Sequence, residues 1–160
     1  MIKIKLILLP TDFSECSSQA LTYALSFARR YKTKLILLHV IDADEYIAYA
    51  EESTSELSPD SRAKIIQAMK EAASESFEQF LKGQNLEGIE IETEMLEGTP
   101  FVEIARYATE LSVDMIVIGT HGQTAQINPF LGSTAEKVVR QAPCPVLSVK
   151  PGEHQFVRRE

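Results

Sequence analysis

The sequence has little of what marks several large classes of protein. It holds only two cysteines, Cys16 and Cys144, far apart and without metal-ligand spacing. Such a pair can in principle join, but the commoner state is two reduced thiols in a cytosolic protein. Basic residues are outnumbered, with 16 Lys and Arg against 23 Asp and Glu for a formal charge of −7. That balance excludes a general nucleic-acid or anionic-membrane surface, although it leaves room for a local basic pocket. Long apolar runs are missing too. The opening "MIKIKLILLP" confines its apolar run to Leu6–Leu9 before Pro10. This is shorter than the core of a secretory signal, and no stretch approaches the length of a membrane span. The expectation is a cytoplasmic protein with neither nucleic acid nor membrane as partner. The common phosphate loops are also absent: there is no G-x4-G-K-S/T and no G-x-G-x-x-G.

What is present is an ordinary globular composition, 44% hydrophobic and 24% charged, in a chain long enough for one domain with a real core. Five short apolar runs alternate with segments of helical period. Residues 4–10 and 34–40 are nearly continuous aliphatic, as central strands buried on both faces should be. Residues 89–96, "IEIETEML", alternate apolar residues with glutamates and suit a half-exposed edge. Residues 113–119 and 144–150 supply two more strands. Between them, Ser14 is a plausible N-cap for the helix after the first strand, and Ser58-Pro59 and Thr99-Pro100 open two further helices. A last helix runs from about Ser133 to Gln141. Residues 41–57 are acidic and poorly periodic and read as a long loop with room for a helical turn. The polar tail from 151 to 160 falls outside the domain of residues 1–150.

Strands alternating with helices imply a parallel sheet covered on both faces. In such sheets ligands bind beyond the carboxyl ends of the strands, where the strand order reverses. The informative residues are therefore "PTDFS", "HVID" and "GTHG", just after the first, second and fourth strands. The last of these opens a G-x2-G-x9-G-S-T pattern, formed by Gly119, Gly122, Gly132, Ser133 and Thr134. Gly119 and Gly122 would permit positive φ and close approach of a ligand to the backbone. Gly132 and Ser133 would sit at a helix start, where unpaired amides and the macrodipole attract phosphate. The competing reading is a capping box in "STAE", with Ser133 as N-cap and Glu136 reaching back. Asp12 either caps a helix or accepts from ribose hydroxyls or holds a metal ion. His121 is a phosphate donor or a solvated loop residue, and His39 reads as structural.

As a set these residues resemble the universal stress protein family. "ILLPTDFSECSSQALTYALSFARRYKTKLILLHV" is similar to that family's first strand, helix and second strand, and "DMIVIGTHG" with "LGSTAEKVVRQAPCPVLSVK" is similar to its closing half. The glycine spacing resembles that of the ATP-binding branch. The resemblance implies a single-domain, doubly wound α/β fold of the adenine-nucleotide alpha-hydrolase type, five parallel strands in the order 3-2-1-4-5 with helices on both faces. It implies that Pro10, Thr11 and Asp12 contact adenine and ribose, with the Val40 backbone at the adenine edge and Gly119 against the ribose. Gly122, Gly132, Ser133 and Thr134 would hold the phosphates, with His121 nearby. It also implies a homodimer through residues 145–149.

In one respect the chain departs from the family. Where relatives often carry cations in the glycine loop, it has Gln123 and Asn128, followed by Pro129. Each missing charge-assisted contact is worth about 1.5–3 kcal/mol, which shifts the expectation toward modest ATP affinity, or AMP or ADP, with magnesium as a partial substitute for the lost charge. No nucleophile–base pair stands out, so the expectation is a regulatory module rather than an enzyme, with slow hydrolysis at most. A phospho-receiver domain is rejected, because the end of the third strand reads "MLEGT" without the required aspartate. The alternative function is a dimeric interaction module that binds no nucleotide, using the 41–57 segment with Tyr46 and Tyr49 toward a protein partner.

Overall fold

The computed structural model describes residues 1–53, 57–121 and 131–152. Strands β1 (Leu6–Pro10), β2 (Lys34–Ile41), β3 (Ile91–Glu97), β4 (Met115–Gly119) and β5 (Val146–Val149) form one sheet in the order β3-β2-β1-β4-β5. All four pairings are parallel. Helices α1 (Glu15–Tyr31), α2 (Ala43–Ser53), α3 (Pro59–Leu81), α4 (Pro100–Glu110) and α5 (Ser133–Gln141) surround it. The fold class and strand order are those expected, with β1 central and the reversal between β1 and β4.

Alternation along the strands sorts the core into two layers. Ile7 and Leu9 of β1 pack with Leu35, Leu37 and Val117, under Ala20, Leu21, Ala24 and Ala28 of α1 and Phe77 of α3. Leu8 packs on the other side with Ile36, Leu38, Ile116 and Ile118, under Ile104 and Ala108 of α4 and Ala135 and Val138 of α5. Both faces of β1 are apolar, which is why its sequence is aliphatic without a break. Each fully buried Leu or Ile contributes about 1.5–3 kcal/mol.

Four strands begin two residues later than their apolar runs. The expected starts at 4 and 113 give way to Leu6 and Met115. Here the Asp114 carboxylate accepts the N–H groups of Lys5 and Leu6 at 2.7 and 3.0 Å, so a side chain closes the entry in place of ladder bonds. The other two bounds also move, to Ile91–Glu97 for β3 and Val146–Val149 for β5. The edge position of β3 agrees with its glutamates, and Glu90 and Glu92 both pair with the Lys34 ammonium.

The reading of 41–57 as a loop is corrected: Ala43–Ser53 is a helix. Its buried residues are Ala43 and Ile47, one turn apart, which join Ile41 in a small cluster with Leu57, Ile66 and Met69. Two inward residues are too few to show a period, so the segment reads as irregular. Its start is nonetheless favoured, because Asp42 accepts the Glu45 N–H at 3.2 Å and acidic residues fill the first turn. At its far end Glu51 receives the Arg62 guanidinium at 2.6 Å and the Leu57 N–H at 3.0 Å, tying α2 to α3. Those contacts, the Leu57 amide first, hold the Glu51 carboxyl below its ordinary pKa. Residues 153–160 of the expected tail lie outside the described residues.

Candidate functional site

The reversal between β1 and β4 opens a crevice above the carboxyl ends of the strands. On its β1 side, Pro10 ends the strand and Thr11 is buried, its N–H donated to the Leu38 carbonyl at 2.8 Å. The Thr11 carbonyl accepts from His39 Nδ1 at 2.8 Å. A carbonyl can only accept, so this nitrogen carries the proton. His39 is thus structural, as expected. Asp12 faces the start of α1 but is not its cap. That cap is Ser14, whose hydroxyl accepts the Ser17 N–H at 3.2 Å. Asp12 Oδ1 instead accepts the Ser14 N–H at 3.0 Å and the Ser17 hydroxyl at 2.7 Å. Phe13 between them has φ of 62°, a conformation costing about 1–2 kcal/mol. Its ring packs against His39, Phe77 and Phe80, with centroids at 4.7, 5.0 and 5.7 Å, and these contacts hold the turn in place.

β2 continues past this point. Its last residue in register with β1 is Leu38, opposite Pro10, whereas its pairing with β3 extends to Ile41. The Leu38 carbonyl points to the β1 side and the Ile41 carbonyl, which takes the Gly98 N–H, to the β3 side. By that alternation the N–H and carbonyl of Val40 point toward the crevice, above the end of β1. They offer one donor and one acceptor on an otherwise apolar edge.

On the β4 side, Gly119 does not take the positive φ that a glycine would permit. A Cβ there would lie 3.0 Å from both the Cys16 carbonyl carbon and Sγ. The close approach it permits is that of α1 to the strand. Gly132 has φ of −58° and is the N-cap of α5, without a side-chain capping bond. Its N–H meets the Thr120 carbonyl at 2.6 Å, and a Cβ would lie 2.9 Å from that oxygen. The capping-box reading is therefore corrected: Ser133 is the first helical residue, and Glu136 turns to Arg140 at 3.0 Å. The clasp to Thr120 sets where the helix starts and overrides the local pattern.

The result is a helix start beside the end of β4, with its first-turn amides unserved by a capping side chain among the described residues. Such a terminus favours an anion. Ser133 is exposed and Thr134 half-buried there. The positive character comes from the backbone, because Lys137 lies over the Phe101 ring at 4.6 Å and Arg140 is paired. His121 Nδ1 is 2.7 Å from the Thr120 hydroxyl. Gly122, with Gln123, Asn128 and Pro129, lies outside the described residues. No group of three or more His, Cys, Asp or Glu among the described residues is placed to hold a metal.

Two site residues were not singled out from the sequence. Thr120, 1% exposed, donates its N–H to the Val149 carbonyl and accepts from Gly132. Ser17, also buried, fixes the Asp12 carboxylate. The only signal for Thr120 is its place directly after β4, and for Ser17 its place three residues after the cap. Cys16 and Cys144 are both free, the former donating to the Val149 carbonyl at 3.3 Å.

The sheet order defines a doubly wound α/β protein whose strand order reverses between β1 and β4. Within that class, a model described as the universal stress protein family matches residues 3–150, and the chain belongs to that family. It is 36% identical over 146 residues to universal stress protein MJ0531 of Methanocaldococcus jannaschii, covering 91% of this chain and 82% of the relative. The solved structure of MJ0577 from the same organism superposes with a TM-score of 0.79 at 32% identity, covering 96% of this chain and all of that one. At the level of fold, the universal stress protein of Archaeoglobus fulgidus in complex with dAMP is also similar. Its TM-score is 0.58 at 24% identity, with 94% of this chain and all of that one covered.

Proposed function

We propose that this protein binds an adenine nucleotide, ATP or its AMP and ADP counterparts, as a cytoplasmic homodimeric regulatory or sensor module in the stress response. One observation carries the reading: α5 starts at the switch-point crevice on Gly132, and among the described residues no side chain caps its first turn. Family membership supports it, and so does the dAMP complex of a protein with this fold. The phosphates rest on the amides of Ser133 and Thr134, just past the Gly132 cap, with His121 beside them. The base lies along the Val40 edge above Pro10 and Thr11, and the ribose lies near Asp12 and Gly119. Magnesium accompanies a triphosphate as a phosphate-bound ion rather than in a protein cage. The protein is a binder, with at most slow hydrolysis.

The homodimer forms through residues 145–149. In support, β5 is an edge of the sheet with one ladder side open. Among the described residues no helix is long and apolar enough to cross a membrane.

Denaturing the purified protein and separating what it releases by chromatography identifies a resident nucleotide, and calorimetry with magnesium ATP measures affinity. Ser133→Asp keeps the helix start while placing a negative charge on it, and should weaken ATP binding about tenfold. If wild type releases no nucleotide and binds no ATP at millimolar concentration, the alternative stands: an interaction module without a nucleotide. If Ser133→Asp binds like wild type, the phosphate lies elsewhere.

A further inference from the structure

Helix α2 presents an outer face of exposed residues. Tyr31, Tyr46 and Tyr49 are the exposed aromatic residues among the described ones. Tyr31 stacks on Phe27, with ring centroids 6.2 Å apart. Tyr46 and Tyr49, 52% and 72% exposed, make no ring contact or hydrogen bond among the described residues. They stand three residues apart, so they are neighbours on the helix surface. Exposed tyrosines of this kind are enriched in protein interfaces, where a rigid ring adds area at low entropic cost.

The charges around the rings select the occupant. Glu45 precedes Tyr49 by four residues and Glu52 follows it by three, so a carboxylate flanks the ring on either side. Asp44, Glu45 and Glu52 are exposed, and none is in an ion pair among the described residues. Elsewhere on the surface many acids are neutralised, as in Glu97 with Lys70, or Glu103 and Glu110 with Arg106. Helix α2 carries no basic residue at all. A guanidinium or ammonium over a tyrosine face, with a carboxylate to either side, satisfies both features at once. We infer that the outer face of α2, through Tyr46, Tyr49, Glu45 and Glu52, docks an arginine- or lysine-rich segment of a partner protein. The inference does not depend on nucleotide binding.

The test uses the full chain and a fluorescein-labelled peptide of alternating arginine and alanine, with its glutamate counterpart as control. Fluorescence anisotropy at moderate salt should show saturable binding of the basic peptide only, weakening as salt rises. Tyr46→Gln with Tyr49→Gln keeps helix propensity and should weaken binding about tenfold, as should Glu45→Gln with Glu52→Gln. Glu75→Gln with Glu78→Gln makes the same charge change on exposed positions of α3 and should stay within about twofold of wild type. Absence of saturable binding overturns the proposal. Equal weakening by the α3 pair also overturns it, since net charge would then be the attractant. So does a tyrosine pair that binds like wild type. A wild type that self-associates in sedimentation, and is made monomeric by the tyrosine changes, assigns the face to a second copy of the chain instead. Unchanged melting temperatures in all variants keep folding out of the comparison.

Discussion

Two helices begin at the same crevice and are finished in opposite ways. At the start of α1, Ser14 caps the Ser17 amide, and Asp12 ties down both the Ser14 amide and the Ser17 hydroxyl. At the start of α5, the cap residue is a glycine with no side chain to offer, and its amide is spent on the Thr120 carbonyl. The first terminus is closed by the protein itself, and the second is positioned by the protein but, among the described residues, left without a capping side chain. An orphan helix start kept at a strand end is a place to receive an anion; a capped one is a hinge of the scaffold. The stretch that sequence motifs emphasise, "PTD", thus serves mainly to shape the crevice. Under the proposed function, its counterpart "GST" would carry the binding.

That contrast can be broken from either end. The largest effect belongs to Gly132→Val. Its Cβ would press on the Thr120 carbonyl from 2.9 Å, and calorimetry should show ATP affinity reduced at least ~100-fold, with urea melts showing a stability loss of about 1–3 kcal/mol. Next is Gly119→Ala, which forces α1 from β4 at a 3.0 Å contact with Cys16. It should cost roughly 1–3 kcal/mol in urea denaturation, whether or not nucleotide is present. Ser133→Asp should lower ATP affinity by about tenfold, or ~1.4 kcal/mol, while leaving the melting temperature unchanged or slightly higher, because an acid in the first turn suits the dipole. Smallest is Ser14→Ala, which should cost about 1 kcal/mol of stability and leave nucleotide affinity within about twofold. Should Ser14→Ala reduce affinity as much as Ser133→Asp, the division of labour between the two helix starts would be wrong.

Much of the frame was legible because it is written in local chemistry. Continuous aliphatic runs mark strands with helices over both faces, and Ser14, Ser58 and Pro100 mark helix starts that the structure keeps. The misreadings share a cause, which is that tertiary contact decided where local pattern was silent or misleading. Helix α2 shows only Ala43 and Ile47 to the core, too little apolar residue to announce a period. Ser133 sits in a good capping pattern, yet the bond from Gly132 to Thr120 starts the helix one residue earlier than that pattern asks. Gly119 looked like a position for positive φ, but its missing side chain instead makes room for Cys16, from a helix a hundred residues away in sequence. Contacts of that range leave no trace in a window of neighbours.

The shared acceptor at Val149 has a consequence for the order of assembly. Its carbonyl receives the Thr120 amide and the Cys16 thiol, the latter across 133 positions of sequence. During synthesis β1, α1 and β2 can pair as soon as they emerge, since their contacts are short in range. The crevice has no such head start. Thr120 and Cys16 gain their common partner only when the fifth strand arrives beside β4, so the crevice is among the last parts of the molecule to become native. A nascent chain stalled before residue 149 would carry most of the sheet and an unfinished site, and binding competence would mark completion of the fold rather than its beginning.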